Sequence, residues 1–236
     1  MAKWFFGWRF YSRANKIVTN YYLMARHMTT KRNLSAEARR ERTVETVIEL
    51  SAQDDPANIT TGNIAKHMRV TQGALFRHFP SKDAIWEAVI GWVAERVMQR
   101  LDAAAAGAAS PVAALEAMFQ AHIAFIVDHP GVPRLMMSQL QHARPTPARR
   151  MVRSLLFLYR ERVEQQLVQA QAAGELRQGV DIEAAATQFI GTIQGLVMQS
   201  LMIGNMSHIA QQAQGAFELY CHGIHAEGRS EPEQAQ

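Results

Sequence analysis

The sequence predicts an all-α protein, and three observations support that prediction. Apolar residues recur at helical spacing from residue 35 onward. Capping residues and prolines stand where these stretches begin and end. No stretch of strand length alternates clearly between apolar and polar residues. With 48% hydrophobic residues among 236, the chain is long and apolar enough to bury a core.

The first helix is expected over residues 35–53, and residues 54–56 should end it. Its apolar and small residues fall on one stripe at helical spacing. Thr60 is placed as the N-cap of a short second helix, with Ile59 and Ile64 on either side forming a hydrophobic staple.

A tight turn at residues 69–70 should separate the second helix from a third, which Thr71 can cap. Pro80 is expected to stop the third helix at Phe79, because the residue before a proline disfavours helical geometry. Ser81 then caps a long fourth helix.

The second half of the chain follows an alanine-rich connector at residues 103–109. It begins with Ser110 as a cap and Pro111 at the first helical position. Further helices are expected over residues 111–129, 133–141, 147–173, 182–203 and 208–225, with Gly174 and Gly204 as C-caps and Asp181 and Ser207 as N-caps.

The net charge of +4 is concentrated at one end of the chain. Residues 1–27 hold five basic and no acidic groups, residues 28–100 hold 11 basic and 9 acidic groups, and residues 101–236 hold 9 and 12. The overall charge is therefore no argument for a nucleic-acid partner. The single cysteine, Cys221, excludes a disulfide framework and fits a cytoplasmic protein.

Residues 1–27 differ in composition from the rest, since they hold eight of the 19 aromatic residues. They lack the continuous apolar run and cleavage site of a secretory signal. Two interpretations stay open: an over-extended start, with translation beginning at Met28, or a segment that lies on an anionic membrane surface. Residues 229–236 form a polar tail that is expected to be disordered. No run of 18 apolar residues occurs, so no membrane span is expected.

Two short helices joined by a turn predict a helix-turn-helix, whose second helix enters the DNA major groove. The residues are more specific than the spacing. The segments TTGNIA at residues 60–65 and VTQGALFRHFPSK at residues 70–82 closely resemble the TetR family of bacterial transcriptional regulators. The family pattern is T/S-x-x-x-I-A followed by G-V-S-x-G-x-L-Y-x-H-F-x-x-K. The match covers about residues 44–89, and residues 185–199 resemble the family's eighth helix.

The resemblance implies a helix-turn-helix DNA-binding domain at residues 28–100 and a helical ligand-binding and dimerisation domain at residues 101–228. It implies a homodimeric repressor that binds a double-stranded DNA operator and is released by a small apolar or amphipathic effector. The alternative is a DNA-bound nucleoid or division factor of the same fold without a small-molecule inducer. No cofactor is expected in either case.

The first turn of the third helix, residues 71–74, carries the expected base contacts. Unpaired backbone N–H groups at a helix start favour phosphate, and small residues let the backbone come close. Gln72 can bond a base edge, preferably adenine N6 and N7, and the Ala74 methyl can meet a thymine methyl. Leu75 and Phe79 are expected to point into the core.

Two residues depart from the family pattern. Phe76 stands where the family usually has Tyr, so the hydroxyl that would bond a phosphate is missing. Arg69 stands where the family usually has Gly, and its charge either compensates or faces solvent. His78 is either a DNA backbone contact or a capping residue ahead of Pro80. The expected DNA contacts are Thr60, Thr61, Arg69, Thr71, Gln72, Gly73, Ala74, Phe76, Arg77, His78 and Lys82.

A basic stretch at the start of the first helix offers a second possible DNA contact. It could reach the backbone or the minor groove, or it could be an ordinary basic face. Its members are Lys31, Arg32, Arg39, Arg40 and Arg42.

The second domain offers polar groups in an apolar setting as ligand contacts, namely His122, Gln139, His142, Tyr159 and Gln194. Its methionines either line an adaptable pocket or fill core. Gly191 and Gly195, one turn apart, permit close helix approach and predict a two-fold interface with the last helix. These methionines are Met118, Met136, Met137, Met151, Met198, Met202 and Met206.

The sequence lacks the motifs that mark common enzymes, including G-x-G-x-x-G, the P-loop, H-E-x-x-H and G-x-S-x-G. No catalytic residue is therefore proposed. Cys221, His222 and His225 could hold a metal, but their place at a helix end beside the polar tail argues against a metal site.

Overall fold

The computed structural model describes residues 34–225, which form nine α-helices and one 3₁₀ turn. This confirms the all-α prediction, and the only strand-like feature described is an isolated bridge between Leu176 and His225. In chain order the elements are α1 (Leu34–Gln53), the 3₁₀ turn (Pro56–Asn58), α2 (Thr61–His67), α3 (Gln72–Phe76), α4 (Lys82–Ala106), α5 (Pro111–Asp128), α6 (Gly131–Gln141), α7 (Pro147–Ala172), α8 (Ile182–Ile203) and α9 (His208–Ile224).

Most of the predicted helix starts are confirmed by their caps. In each case a side-chain oxygen accepts a hydrogen bond from a backbone N–H two or three residues along the chain, which satisfies one of the unpaired donors of a helix start. Thr60 does so within a reciprocal capping box with Asn63. The other confirmed N-caps are Thr71, Ser81, Ser110 and Asp181.

Two predicted boundaries are wrong, and one predicted cap makes no side-chain bond. The third helix ends at Phe76 rather than Phe79, because the Leu75 carbonyl accepts from the backbone N–H groups of Arg77, His78 and Phe79 and closes a turn. Ser207 stands at the N-cap position of α9 as predicted, but its side chain makes no capping hydrogen bond. The sixth helix begins at Gly131, two residues before Pro133, because a proline in the first turn needs no N–H partner.

The chain packs as two compact units. Among the described residues, the first comprises residues 34–94 together with Gly131–Leu156, and the second comprises Glu95–Pro130 together with residues 157–225. The sequence predicts a DNA-binding domain that ends at residue 100 and a ligand-binding domain that begins at residue 101. This boundary remains a prediction. The expected extension at residues 1–27 and the expected tail at 229–236 lie outside the described residues.

The first unit places α6 directly against α1. At Gly131 the two backbones come so close that a Cβ atom would lie 2.1 Å from the Ile48 carbonyl oxygen. Only glycine fits this crossing. Val47, Ile64, Phe79 and Leu135 of α6 are fully buried in the same unit, so α1, α6 and the short helices contribute to its core.

The second unit is built around a cluster of aromatic rings. Phe119 lies 5.5 Å from Phe189 and 5.2 Å from Phe217, measured between ring centroids. α5 is long and apolar enough to cross a membrane, judged by its length and composition alone. Seven of its side chains are buried, however, and it packs against α9, which is the environment of a core helix.

Candidate nucleic-acid interface

The turn between α2 and α3 is held by a residue in left-handed geometry. Arg69 has φ +57°, and no other non-glycine residue in the described part of the chain has a positive φ. This explains why a glycine would be usual there, since a Cβ makes that conformation costly by about 1 kcal/mol or more. The Arg69 side chain is exposed at the turn.

The recognition helix α3 turns one face to solvent and buries the other. Leu75 is 2% exposed and Phe79, just beyond α3, is fully buried, which confirms their predicted place in the core. Gln72, Gly73 and Phe76 are exposed, and Phe76 keeps 44% of its surface open. The Phe76 ring therefore lies on the solvent side of α3 and not in the core.

The Gln72 side chain is positioned by the helix before it. Its Nε2 atom donates to the Thr61 hydroxyl oxygen at 3.2 Å, and so links the first residue of α3 to the first residue of α2. A Cβ at Gly62 would lie 3.3 Å from the same Nε2 atom, so glycine leaves room for this amide. This hydrogen bond joins two of the predicted DNA contacts, Thr61 and Gln72.

Thr60 and Thr71 also act within the structure. Each hydroxyl accepts a backbone N–H as an N-cap, Thr60 from Asn63 at 3.1 Å and Thr71 from Ala74 at 3.2 Å. Each cap fixes the first turn of its helix. The free backbone N–H groups of such a turn are the ones suited to bind phosphate.

All the charged side chains of the segment that carries these residues are basic. Between residues 60 and 82 the sequence has no Asp or Glu. The arrangement favours the phosphate backbone although the whole chain has little excess charge. Its basic residues are Lys66, Arg69, Arg77 and Lys82.

Arg40 has a role that the sequence did not reveal. Its guanidinium donates to the His78 carbonyl at 2.6 Å and lies 4.5 Å from the centroid of the Phe79 ring. It therefore ties α1 to the end of the recognition segment. No local signal pointed to this contact, because Arg40 is itself exposed and its partner lies 38 residues further along the chain.

The other residues of the basic stretch at the start of α1 differ in their surroundings. Arg42 lies 3.5 Å from Glu45 and 3.8 Å from Glu49 in exposed ion pairs, which contribute little. Arg39 is exposed. Lys31 and Arg32 lie outside the described residues.

Three predicted contacts lie beyond α3. His78 is half-buried, and its carbonyl is the acceptor for Arg40. The Lys82 ammonium lies 5.5 Å from the centroid of the Trp86 ring at the start of α4. Arg77 caps α3 with an exposed side chain.

The predicted ligand residues do not form one group. His122 and Tyr159 meet in the second unit, where the histidine Nδ1 atom and the tyrosine hydroxyl oxygen are 3.1 Å apart. Gln139 and His142 belong to the first unit, and Gln194 is exposed on α8. Burial lowers the pKa of His122 to about 4 and raises the pKa of Tyr159, so both side chains are neutral near pH 7.

The predicted methionines also differ in their surroundings. Met118 is buried in the core, whereas Met202 is 81% exposed.

Within residues 34–225 no three metal-binding side chains come together. Burial, with a smaller contribution from Glu116, raises the pKa of the Cys221 thiol to about 11, which disfavours a reactive thiolate.

Comparison with known proteins agrees with this geometry. Residues 45–89 match the family model of bacterial regulatory proteins of the tetR family, and residues 111–216 match a tetracyclin repressor-like C-terminal domain. A nucleoid occlusion factor, SlmA of Aliivibrio fischeri, is 30% identical over 66% of this chain and 81% of its own length.

Solved structures share the fold at low identity. The transcriptional regulator FadR from Bacillus subtilis, in complex with stearoyl-CoA, superimposes with a TM-score of 0.68 at 19% identity, over 78% of this chain and 99% of its own. The fatty acid degradation regulator FadR from Bacillus halodurans gives 0.72 at 15% identity, over 84% of this chain and all of its own.

Proposed function

This chain belongs to the TetR family of bacterial regulatory proteins, which bind DNA and are not enzymes, and we propose that it acts as a homodimeric transcriptional repressor. In this proposal α3 enters the major groove of a (pseudo)palindromic operator. One short helix contacts too few base pairs for specificity, and a two-fold dimer supplies the second half-site.

The observation that carries the proposal is the exposed first turn of α3. It presents Gln72, held at 3.2 Å by Thr61, on a segment without acidic residues. An amide with one fixed hydrogen bond is suited to pairing with a base edge, and the surrounding cations are suited to phosphate.

An open apolar face on α8 supports the homodimer. Gly191, Gly195, Met198 and Met202 follow one another at helical spacing, and a Cβ at either glycine would meet nothing within 4 Å. Met202 and Leu219 of α9 are 81% and 75% exposed. Large apolar side chains beside open glycines suit the close packing of a second copy.

An effector in the second unit would meet neutral groups. His122 and Tyr159 form an uncharged polar pair beside the aromatic cluster. The Tyr220 hydroxyl is buried without a hydrogen-bond partner among the described residues. These features support an apolar or amphipathic effector whose polar group enters a water-poor site.

The proposal is tested on the DNA around the protein's own gene. Footprinting with the purified full chain should protect an intergenic palindrome, and deletion of the gene should raise transcription from the adjacent promoter. A protected site whose promoter activity does not change on deletion would contradict the repressor role.

The second candidate is a nucleoid occlusion factor. The SlmA relative of Aliivibrio fischeri carries that name and matches this chain over 81% of its length, which favours the candidate. Such a factor would occupy many chromosomal sites and need no small-molecule inducer.

Mapping of bound sites across the chromosome separates the two candidates. A repressor should occupy a few promoters and leave them on adding an effector. A nucleoid factor should occupy sites spread along the chromosome, and its deletion should change cell division rather than neighbouring transcription. Either role places the protein in the cytoplasm with the DNA.

A further inference from the structure

The loop between α6 and α7 and the start of α7 carry a dense group of arginines. Residues 129–160 contain no Asp or Glu, and four of their arginines fall within ten positions. All four belong to the first compact unit, which also holds α1, α2 and α3. This arginine surface comprises Arg144, Arg149, Arg150 and Arg153.

Two of these arginines hold the loop that carries a third. The Arg149 guanidinium donates to the His142 carbonyl at 2.5 Å, and the Arg150 guanidinium donates to the Pro145 carbonyl at 2.9 Å. The loop is therefore bonded on both sides of Arg144, whose side chain is exposed. A charge presented from a loop that is already held in place loses little entropy on binding.

The charge of the arginine surface is not neutralised by carboxylates. Among residues 34–225 none of its four members forms an ion pair with an Asp or Glu. In the second unit, by contrast, Arg100, Arg160 and Arg162 each pair with an acidic side chain. The positive charge of the arginine surface is thus left for an anionic partner outside the chain.

Helix stability does not explain the position of these residues. Arg149 and Arg150 lie in the first turn of α7, which holds no acidic residue. Cations at the positive end of a helix dipole are unfavourable, and Arg153 follows one turn later on the same side as Arg149. A bound anion would reverse this effect, because it would be attracted by the arginines and by the helix start alike.

The arginine surface lies next to an expected DNA contact. Lys82 lines the same shallow cleft as His142 and Thr146, which stand two residues before and two residues after Arg144. Asp83 also lines this cleft, and the neighbouring Lys82 ammonium offsets its charge. DNA whose backbone contacts Lys82 would therefore meet the loop that carries Arg144.

The chemistry of the arginine surface favours phosphate on DNA over a membrane. The planar guanidinium can donate two hydrogen bonds to one phosphate group. Binding to a membrane surface would also need apolar side chains that enter the lipid, but no large apolar side chain of residues 142–154 is exposed.

We propose that the arginine surface binds the phosphate backbone of DNA outside the base pairs that α3 contacts. This inference rests on the proposed DNA-binding function and adds a second contact region to it. Because phosphate contacts carry no sequence information, the arginine surface raises affinity for the operator and for other DNA alike.

The test measures binding of the full chain to a random-sequence duplex of about 40 base pairs at several salt concentrations. Arg144→Gln and Arg153→Gln should each lower the salt slope by roughly one, and the double variant should bind at least about tenfold more weakly near 0.1 M salt. Arg144→Lys keeps the charge and should keep the slope. Arg177→Glu, at an exposed position of the second unit, lowers the net charge by as much as the double variant and should leave the slope nearly unchanged.

A wild-type slope in the double variant, or an equal loss in Arg177→Glu, would overturn the arginine surface. Poly-glutamate titrated in parallel stands in for an acidic protein. If the double variant lost poly-glutamate binding and kept the wild-type slope on DNA, the surface would belong to a protein partner and the proposal would be wrong. A wild-type chain that binds no DNA would refute the proposed function itself, whereas a steep slope that the variants leave unchanged refutes only the arginine surface.

Discussion

At the scale of single residues, the recognition segment separates side chains that can read bases from those that hold the helix in place. Gln72 is exposed and donates to Thr61, whereas Arg40 reaches the same segment from α1 and donates to the His78 carbonyl. Lys82 is a half-buried charge at the next helix start. Each makes a different prediction.

Replacement of Gln72 by Ala should cost about 1–3 kcal/mol of affinity for the operator and little for random DNA, because only a base contact distinguishes them. Lys82→Ala should instead weaken both and lower the salt slope by roughly one. Titrations on both DNAs at several salt concentrations measure this. If Gln72→Ala lowered the two affinities equally, base reading would have to be assigned to another residue of α3.

Replacement of Arg40 by Met should lower the free energy of unfolding by about 1–2 kcal/mol, since it removes the bond to the His78 carbonyl and the contact with Phe79. Operator affinity should fall as the end of the recognition segment loosens. Arg39→Met is the matched control, because it removes the same charge from an exposed position on α1. Equal effects of both variants on affinity would indicate that charge alone matters at Arg40.

At the scale of elements, α1 and α6 cross so closely at Gly131 that a side chain there would meet the backbone of α1. Gly131→Ala places a Cβ 2.1 Å from the Ile48 carbonyl oxygen, and backbone cannot yield as a side chain can. We expect a loss of about 1–3 kcal/mol or more in denaturant unfolding. Gly91→Ala, where the Cβ would meet Met151 Cε at an ordinary 3.7 Å, should be neutral or stabilising. A fully stable Gly131→Ala chain would show that this crossing is looser than described.

Local signals predicted the helices and most of their caps, because a cap depends on residues three positions apart. Contacts between distant residues left no such signal. The bond from Arg40 to His78 spans 38 residues, and the close approach at Gly131 depends on a helix 80 residues earlier. Their polarity alone grouped Gln139 and His122 as candidate ligand contacts, although the two residues belong to different units.

At the scale of the whole molecule, stability should depend on pH through His122. Its pKa is lowered from 6.5 to about 4, so below pH 6.5 the unfolded chain takes up a proton that the folded chain does not. Stability is therefore complete above pH 6.5 and falls as the pH decreases toward 4, by up to about 3 kcal/mol at about 1.4 kcal/mol per pH unit. The difference in unfolding free energy between wild type and His122→Gln should show this slope, and a flat difference would contradict it.

The proposed dimer gives a second prediction at this scale. Met202→Glu places a charge on the open apolar face of α8, and sedimentation should then show a monomer with weakened operator binding. Val168→Glu alters a side chain of α7 that is 54% exposed and serves as the control. A wild-type monomer, both free and on DNA, would contradict the proposed homodimer.

In the proposed base contact, the bond between Gln72 and Thr61 also limits how sharply Gln72 can distinguish one base pair. While the protein moves along non-cognate sequence, the amide keeps an intramolecular partner, so a mismatch leaves that donor satisfied. At an adenine the amide exchanges one hydrogen bond for others, and the gain is their difference. Specificity for the operator must then be the sum of several small differences in binding free energy, contributed by base pairs in both half-sites. Between operators, the binding free energy varies little from one site to the next, which favours movement along the DNA.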